Sequence, residues 1–137
     1  MTLQIQYVPV EFTAQTWPLI EPLMAKMDGL LSCDYTLDQA KAAILTGQWL
    51  LTVGATPEGE IVGVCTFAFL NRPNDRVAFI TAFAGRGVSN PKYFADLCNI
   101  VRAHGATKIQ GHTYNSLVRL AGHLGFKPIA TVIEVSL

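Results

Sequence analysis

The stretch TAFAGRGVSNPKYFADL, Thr81 to Leu97, sets two glycines, an asparagine and a proline between an apolar strand-like run and a helix-like run. A strand–loop–helix turn of this kind aims backbone N–H groups at an anion beside a helix N-terminus. The chemistry it suggests is phosphate binding. Its donors are the amides of Gly85, Gly87, Val88 and Ser89 and the Ser89 hydroxyl, with Asn90 as helix cap. Pro91 has no amide to offer, although its fixed φ suits a first helical position. Arg72, Arg76 and Arg86 are expected either to converge on phosphates at one end of a sheet or to form a solvated rim.

The other chemistry-bearing residues are more scattered. Glu58 and Glu60 border a turn and read as solvated. His104 and His123 sit near helix C-termini, where an imidazolium meets the dipole favourably. Neither has a histidine or cysteine at metal-ligand spacing, so no metal site is expected. Cys65 and Cys98 fall on apolar faces and read as packing residues, as do Trp17 and Trp49. No Walker loop, nucleophile elbow or dinucleotide fingerprint is present.

The elements that position these residues follow from periodicity. LQIQYV alternates as a half-buried strand does. Thr16 is expected to cap a helix over WPLIEPLMAKMD, with Leu19, Ile20, Leu23, Met24 and Met27 as its apolar stripe, Pro22 as a kink and Gly29 as its end. TLDQ, Thr36 to Gln39, is a capping box, and Gly47 stands where a helix-terminating glycine belongs. QWLLTVGA, EIVGVCTFAFL and RVAFITAFA are joined by short turns and predict an antiparallel meander. Helix and strand then alternate: a helix from Pro91 to Gly105, the strand TKIQGHT, a helix from Asn115 to Gly125, and a last strand KPIATVIEVSL. The crossover into TKIQGHT favours one parallel pair.

The bulk numbers fit this picture. A chain of 137 residues suits one domain over 1–137, half hydrophobic and 15% charged, with ten basic and ten acidic side chains in balance. That balance disfavours a general nucleic-acid groove or an anionic membrane partner. The longest apolar run, Ile61 to Leu70, is too short to span a bilayer, and MTLQIQYV lacks signal-peptide character. Cys33, Cys65 and Cys98 are odd in number and widely spaced, which suggests reduced thiols and a cytoplasmic protein.

The order strand, two helices, three-strand meander, helix, strand, helix, strand resembles the GNAT superfamily of acetyl-CoA-dependent N-acetyltransferases. NSLVRLAGHLGF, Asn115 to Phe126, is similar to that family's Asn-led helix ending in Leu-Gly-Phe. TWPLIEPLMAKM, DYTLDQAKAAILTGQWLLTVG and EIVGVCTFAF also resemble the small GNAT-like proteins that bacteriophages encode. The resemblance implies an α/β (α+β) fold: a mixed, mostly antiparallel twisted sheet of six to seven strands with helices on both faces. It implies acetyl-CoA as cofactor, its acetyl-pantetheine arm against the backbone of Ala82, Phe83 and Ala84. The pyrophosphate would lie on Gly85, Arg86, Gly87, Val88, Ser89 and Asn90, with Asn115 completing the cofactor contacts.

Measured against the family's Gln/Arg-x-x-Gly-x-Gly/Ala loop, RGVSNP puts Ser89 in place of the first glycine and Pro91 in place of the second small residue. The tyrosine common in the family's last helix is also replaced, by Ala121 or Gly122. Acyl transfer to an amine needs a base, for which His112 is the candidate, and an acid for the thiolate, for which Tyr114 stands nearest. The alternatives are a surface histidine at a strand end and a tyrosine that packs its ring. Two functions follow. One is an acetyl-CoA-dependent N-acetyltransferase, phage-encoded, with a degenerate cofactor loop and an amine substrate. The other is a catalytically silent GNAT-fold protein that binds a host protein in the cytoplasm or serves virion assembly. The final strand is one long strand or a short hairpin, where the family has two strands, so a partner chain would supply the missing edge or the sheet would stop. Oligomeric state stays open.

Overall fold

A computed structural model describes residues 2–26, 35–87, 90–113, 119 and 121–137. Among them, strand β1 (Gln4–Val8) leads through a 3-10 turn at Val10–Phe12 into helix α1 (Thr13–Ala25), and helix α2 (Leu37–Leu45) follows. Strands β2 (Trp49–Ala55), β3 (Ile61–Asn71) and β4 (Arg76–Gly85) form the meander. Helix α3 (Pro91–Ala103) then crosses to β5 (Lys108–Gln110). The sheet runs β1-β2-β3-β4-β5, antiparallel except for the β4–β5 pair.

Local chemistry accounts for the helix ends. Thr36 Oγ1 accepts from Gln39 N–H at 3.2 Å, while Gln39 Oε1 accepts from Thr36 N–H at 2.8 Å, so the capping box closes. α1 starts earlier than expected. The 3-10 turn supplies its first turn, and the Thr16 hydroxyl donates back to the Phe12 carbonyl at 2.8 Å instead of capping. Leu19 faces solvent, whereas Trp17, Ile20 and Met24 are buried and Leu23 is half-buried. Met27, Gly29 and Cys33 lie outside the described residues.

Two cores sandwich the sheet. On one face α1 and α2 pack Trp17, Ile20, Met24, Ala40 and Ile44 onto Leu51, Val53, Val64, Ala82 and Ala84. On the other, Leu97 and Val101 of α3 pack onto Cys65, Phe67 and Ala78. In β4 the facing switches midway: Ala78 and Ile80 lie on the α3 side, Ala82 and Ala84 on the α1–α2 side. The cause is a β-bulge. Thr66 and Phe67 of β3 pair with Ala82 and Ile80, leaving Thr81 as an extra residue that inverts the alternation. The Thr81 hydroxyl is held by the Thr66 hydroxyl, 2.7 Å away in the sheet.

The expected last strand is not formed. Residues 127–137 pair with no strand, and Ile129, Val132, Ile133, Val135 and Leu137 are all exposed. Alternation encodes a face to be buried but not an edge to pair with, and after Gly125 the chain meets no edge. The sheet therefore has five strands among the described residues, not six or seven. Of the expected helix from Asn115, Arg119, Ala121 and Gly122 are helical; residues 114–118 and Leu120 lie outside the described set.

Candidate functional site

The parallel pair β4–β5 is latched at one end and open at the other. At the latched end, Thr107 N–H donates to the Arg76 carbonyl at 2.8 Å and Arg76 N–H to Thr107 Oγ1 at 3.1 Å. Asp75 accepts from the Thr107 hydroxyl at 3.0 Å and pairs with Lys108 Nζ at 3.0 Å. These two donors hold the Asp75 carboxyl below its ordinary value. The Arg76 guanidinium donates through Nε to the His104 carbonyl at 3.2 Å and through Nη1 to Asn71 at 2.8 Å, and it covers the Phe69 ring at 4.3 Å. Neither this latch nor the Thr81 bulge was anticipated from sequence. The lone hydroxyl inside AFITAFA was the one signal for the bulge.

Pairing stops quickly. Val77, Ala78 and Phe79 match Lys108, Ile109 and Gln110, and beyond Phe79 the β4–β5 register ends while β4 continues to Gly85. Among the described residues, the β5-side edge of Ile80–Gly85 has no strand partner; this unpaired stretch, between the end of the β4–β5 ladder and the α3 N-terminus, is referred to as the wedge. An extended ligand with amide groups can add to such an edge. Of the residues assigned to this arm, Ala82 and Ala84 are buried under α1 and α2, and Phe83 packs on the α3 side. Their side chains serve the core, which leaves the backbone to face the wedge.

His112 lies just past β5 at the wedge, exposed, its ring edge-on to Phe79 with centroids 4.9 Å apart. Tyr114, Asn115, Val88 and Ser89 lie outside the described residues. Arg72 and Arg76 are at the latched end and Arg86 just past the other end of β4, roughly 30 Å along a strand of this length. The three do not converge; an extended strand holds them apart, and the solvated-rim expectation stands for Arg72 and Arg86.

The loop after β4 is tightly engaged with its own protein. Gly85 adopts φ +97°, and a Cβ there would strike the Val62 carbonyl oxygen and come within 2.7 Å of Gly63 Cα. Arg86 N–H donates to that Val62 carbonyl at 2.8 Å. Asn90 N–H donates to the Gly87 carbonyl at 3.0 Å, and Asn90 Oδ1 caps α3 by accepting from Lys92 N–H at 2.9 Å. The amides of Arg86, Asn90 and Lys92 are thus committed internally, and Pro91 has none. Tyr93 is buried beneath the loop, its hydroxyl accepting from Leu3 N–H at 3.1 Å.

The remaining candidates sit elsewhere. His104 Nδ1 lies 2.9 Å from the Ile100 carbonyl, and its ring packs between Tyr7 and Phe69. His123 is exposed, as are Glu58 and Glu60, which flank a turn closed by Thr56. Trp17 belongs to the core, and Trp49 meets Tyr35 edge-on. Burial pushes the thiols of Cys65 and Cys98 up, which makes both poor nucleophiles. Among the described residues no group of three or more His, Cys, Asp or Glu is arranged to hold a metal. No described helix is long and apolar enough to cross a membrane.

No protein-family model matches the sequence, and no curated protein matches it. Solved structures do. A Trypanosoma brucei acetyltransferase is 17% identical with a TM-score of 0.61, the match covering 99% of this chain and all of the other. An aminoglycoside acetyltransferase from an uncultured soil metagenomic sample, solved with sisomicin, gives 12% identity and a TM-score of 0.70 over 98% of this chain and 95% of the other. A predicted acetyltransferase from Clostridium acetobutylicum, solved with acetyl-CoA, gives 12% and 0.65 over 98% and 96%. Identities this low speak to fold alone. In element order, sheet topology and overall superposition, the chain has the GNAT-like fold of the acetyltransferases.

Proposed function

We propose that the chain is an acetyl-CoA-dependent N-acetyltransferase-like protein whose cofactor arm lies in the β4–β5 wedge. The observation that carries this is the strand edge from Ile80 to Gly85, left without a β5 partner while the base of the wedge is latched. The fit is good for the arm, since an open strand edge suits its amides. It is poorer for the pyrophosphate, because the amides of Arg86, Asn90 and Lys92 are already used. The loop from Gly85 to Asn90 would then hold phosphates through the Gly87, Val88 and Ser89 amides and the Ser89 hydroxyl, and Asn115 is assigned to the cofactor contacts on the family resemblance. When bound, acetyl-CoA supplies an acetyl group activated as a thioester. His112, exposed at the wedge, is the residue we assign to take the amine proton, and Tyr114 the one to protonate the departing thiolate.

Those committed amides also favour a second reading: a catalytically silent GNAT-fold protein that binds a host protein or takes part in virion assembly. The phage origin and the cytoplasmic or virion location in this reading rest on the resemblance of the sequence blocks. Melting the protein with and without acetyl-CoA separates the two. Ligand at 100 times its dissociation constant adds about 2.7 kcal/mol, a rise of several degrees. No rise at millimolar acetyl-CoA refutes the enzyme reading. If a rise occurs, His112→Ala is expected to preserve it while lowering turnover at least tenfold; unchanged turnover removes His112 from the reaction.

A further inference from the structure

The β4–β5 register, carried past the end of its ladder, sets out what faces the mouth of the wedge. Gln110 pairs with Phe79, and a Cβ on Gly111 would lie 3.4 Å from Ile80 Cβ, so the strands are still abreast one residue past their last pair. The next step sets His112 opposite Thr81, the bulged residue. Alternation fixes the face. Ile109 and Ala78 pack toward α3, so Gln110 and Phe79 point the other way, toward the α1–α2 layer, and His112 follows Gln110 at a period of two. Its ring does lie edge-on to Phe79, centroids 4.9 Å apart. Thr81 shares this face. Its hydroxyl meets that of Thr66, which alternates with Cys65 and Phe67 of the α3 side and so faces α1 and α2.

The hydroxyl pair has a direction. Thr66 is fully buried, and its hydroxyl meets one partner among the described residues, Thr81 at 2.7 Å. If Thr81 donated, the Thr66 hydrogen would be buried without an acceptor, which is costly. Thr66 therefore donates and Thr81 accepts. Thr81 is half-buried and has no second side-chain partner among the described residues, so its own hydrogen is left for a group arriving over the α1–α2 face. A hydroxyl that already accepts a hydrogen bond is polarised, which strengthens the bond it donates.

We propose that Thr81 selects the acceptor: its hydroxyl donates to a carbonyl oxygen of the incoming amine, while the amine nitrogen lies at His112 and the Phe79 ring walls the space beside them. Strands abreast are about 5 Å apart, a gap that an α-amino carbonyl unit bridges, since its nitrogen and oxygen sit on adjacent carbons. The substrate class is an α-amino amide rather than a simple alkylamine. This rests on the reading of the wedge as an acetyl-transfer site, but recognition of the acceptor is measured separately from binding of the cofactor.

Binding of phenylalaninamide and of phenethylamine, which lacks the carbonyl, is compared by chemical-shift titration at one pH. The wild type is expected to bind the amide about three- to tenfold more tightly, the worth of one hydrogen bond. Thr66→Val combined with Thr81→Val replaces the hydroxyl pair by side chains of the same shape and orphans no hydroxyl. This double variant should bind the two amines equally, while Thr81→Ser keeps the preference. No preference in the wild type overturns the proposal, and so does a preference that survives the double variant or is lost in Thr81→Ser. If the double variant fails to fold, intermolecular nuclear Overhauser contacts between bound phenylalaninamide and the Thr81 methyl of the wild type decide, and their absence overturns it. The melting rise with acetyl-CoA is read alongside. A rise without the amide preference refutes this assignment alone, whereas the preference without a rise refutes the enzyme reading and leaves an α-amino amide site on a silent protein.

Discussion

Gly85→Ala tests how the loop after β4 is held. Gly85 sits at φ +97°, a region that costs an L-residue about 1–2 kcal/mol. Its added methyl would meet the Val62 carbonyl and Gly63 Cα, both backbone atoms of the neighbouring strand, so no side chain can swing away. Relief requires β3 and the loop to part, which breaks the Arg86 N–H bond to Val62 and removes about another 0.5–1.5 kcal/mol. The expected loss is about 3 kcal/mol, or roughly 12 °C of melting temperature in a domain of this size. Gly59→Ala is the control, with φ +88° but nothing within 4 Å of the new methyl. It should cost only the conformational part, about 1–2 kcal/mol. The assay is urea unfolding of both variants beside wild type. Equal losses would refute the claim that contact with β3, rather than the sign of φ, makes glycine necessary at position 85.

Three further outcomes are expected. Phe67, fully buried beneath α3, should cost about 3–5 kcal/mol as Phe67→Ala in the same unfolding assay. Thr36→Ala opens the capping box and should cost about 1 kcal/mol, with faster amide exchange confined to the first turn of α2. The Cys65 thiol, its pKa raised by burial, contributes stability that is complete below the ordinary thiol pKa of about 8.5 and is lost as pH climbs toward the raised folded value. Urea midpoints should therefore fall between pH 8 and 10, and Cys65→Ala should flatten most of that slope, leaving the share due to Cys98; an unchanged slope would contradict it.

The parts of the fold visible in the sequence are those fixed by local rules. Thr36 and Gln39 close their box within one turn, and the meander follows from short turns between apolar runs. Thr16 misled because its hydroxyl had two local options, and the 3-10 turn at Val10–Phe12 had already started the helix. The segment after Gly125 misled differently: its alternation is genuine, but alternation specifies no partner. At the site, the order of elements was enough to foresee the parallel pairing of β4 with β5. The hydrogen bonds that commit the Arg86 and Asn90 amides were not foreseeable, since the first joins residues 24 positions apart in the chain through the β3–β4 register.

The bulge at Thr81 divides β4 into two halves that answer to different layers. Before it, Ala78 and Ile80 are matched to α3; after it, Ala82 and Ala84 are matched to α1 and α2. Deleting Thr81 would straighten the strand and leave both halves on their present faces, because the residue lost is the extra one; deleting Ala82 with the bulge kept would instead turn the Phe83 ring onto a face fitted to alanine methyls. Substitutions in either layer can accordingly drift with little effect on the other. A change in the length of either half moves residues from one layer to the other, so the residues of β4 on either side of Thr81 should be where insertions and deletions are least tolerated.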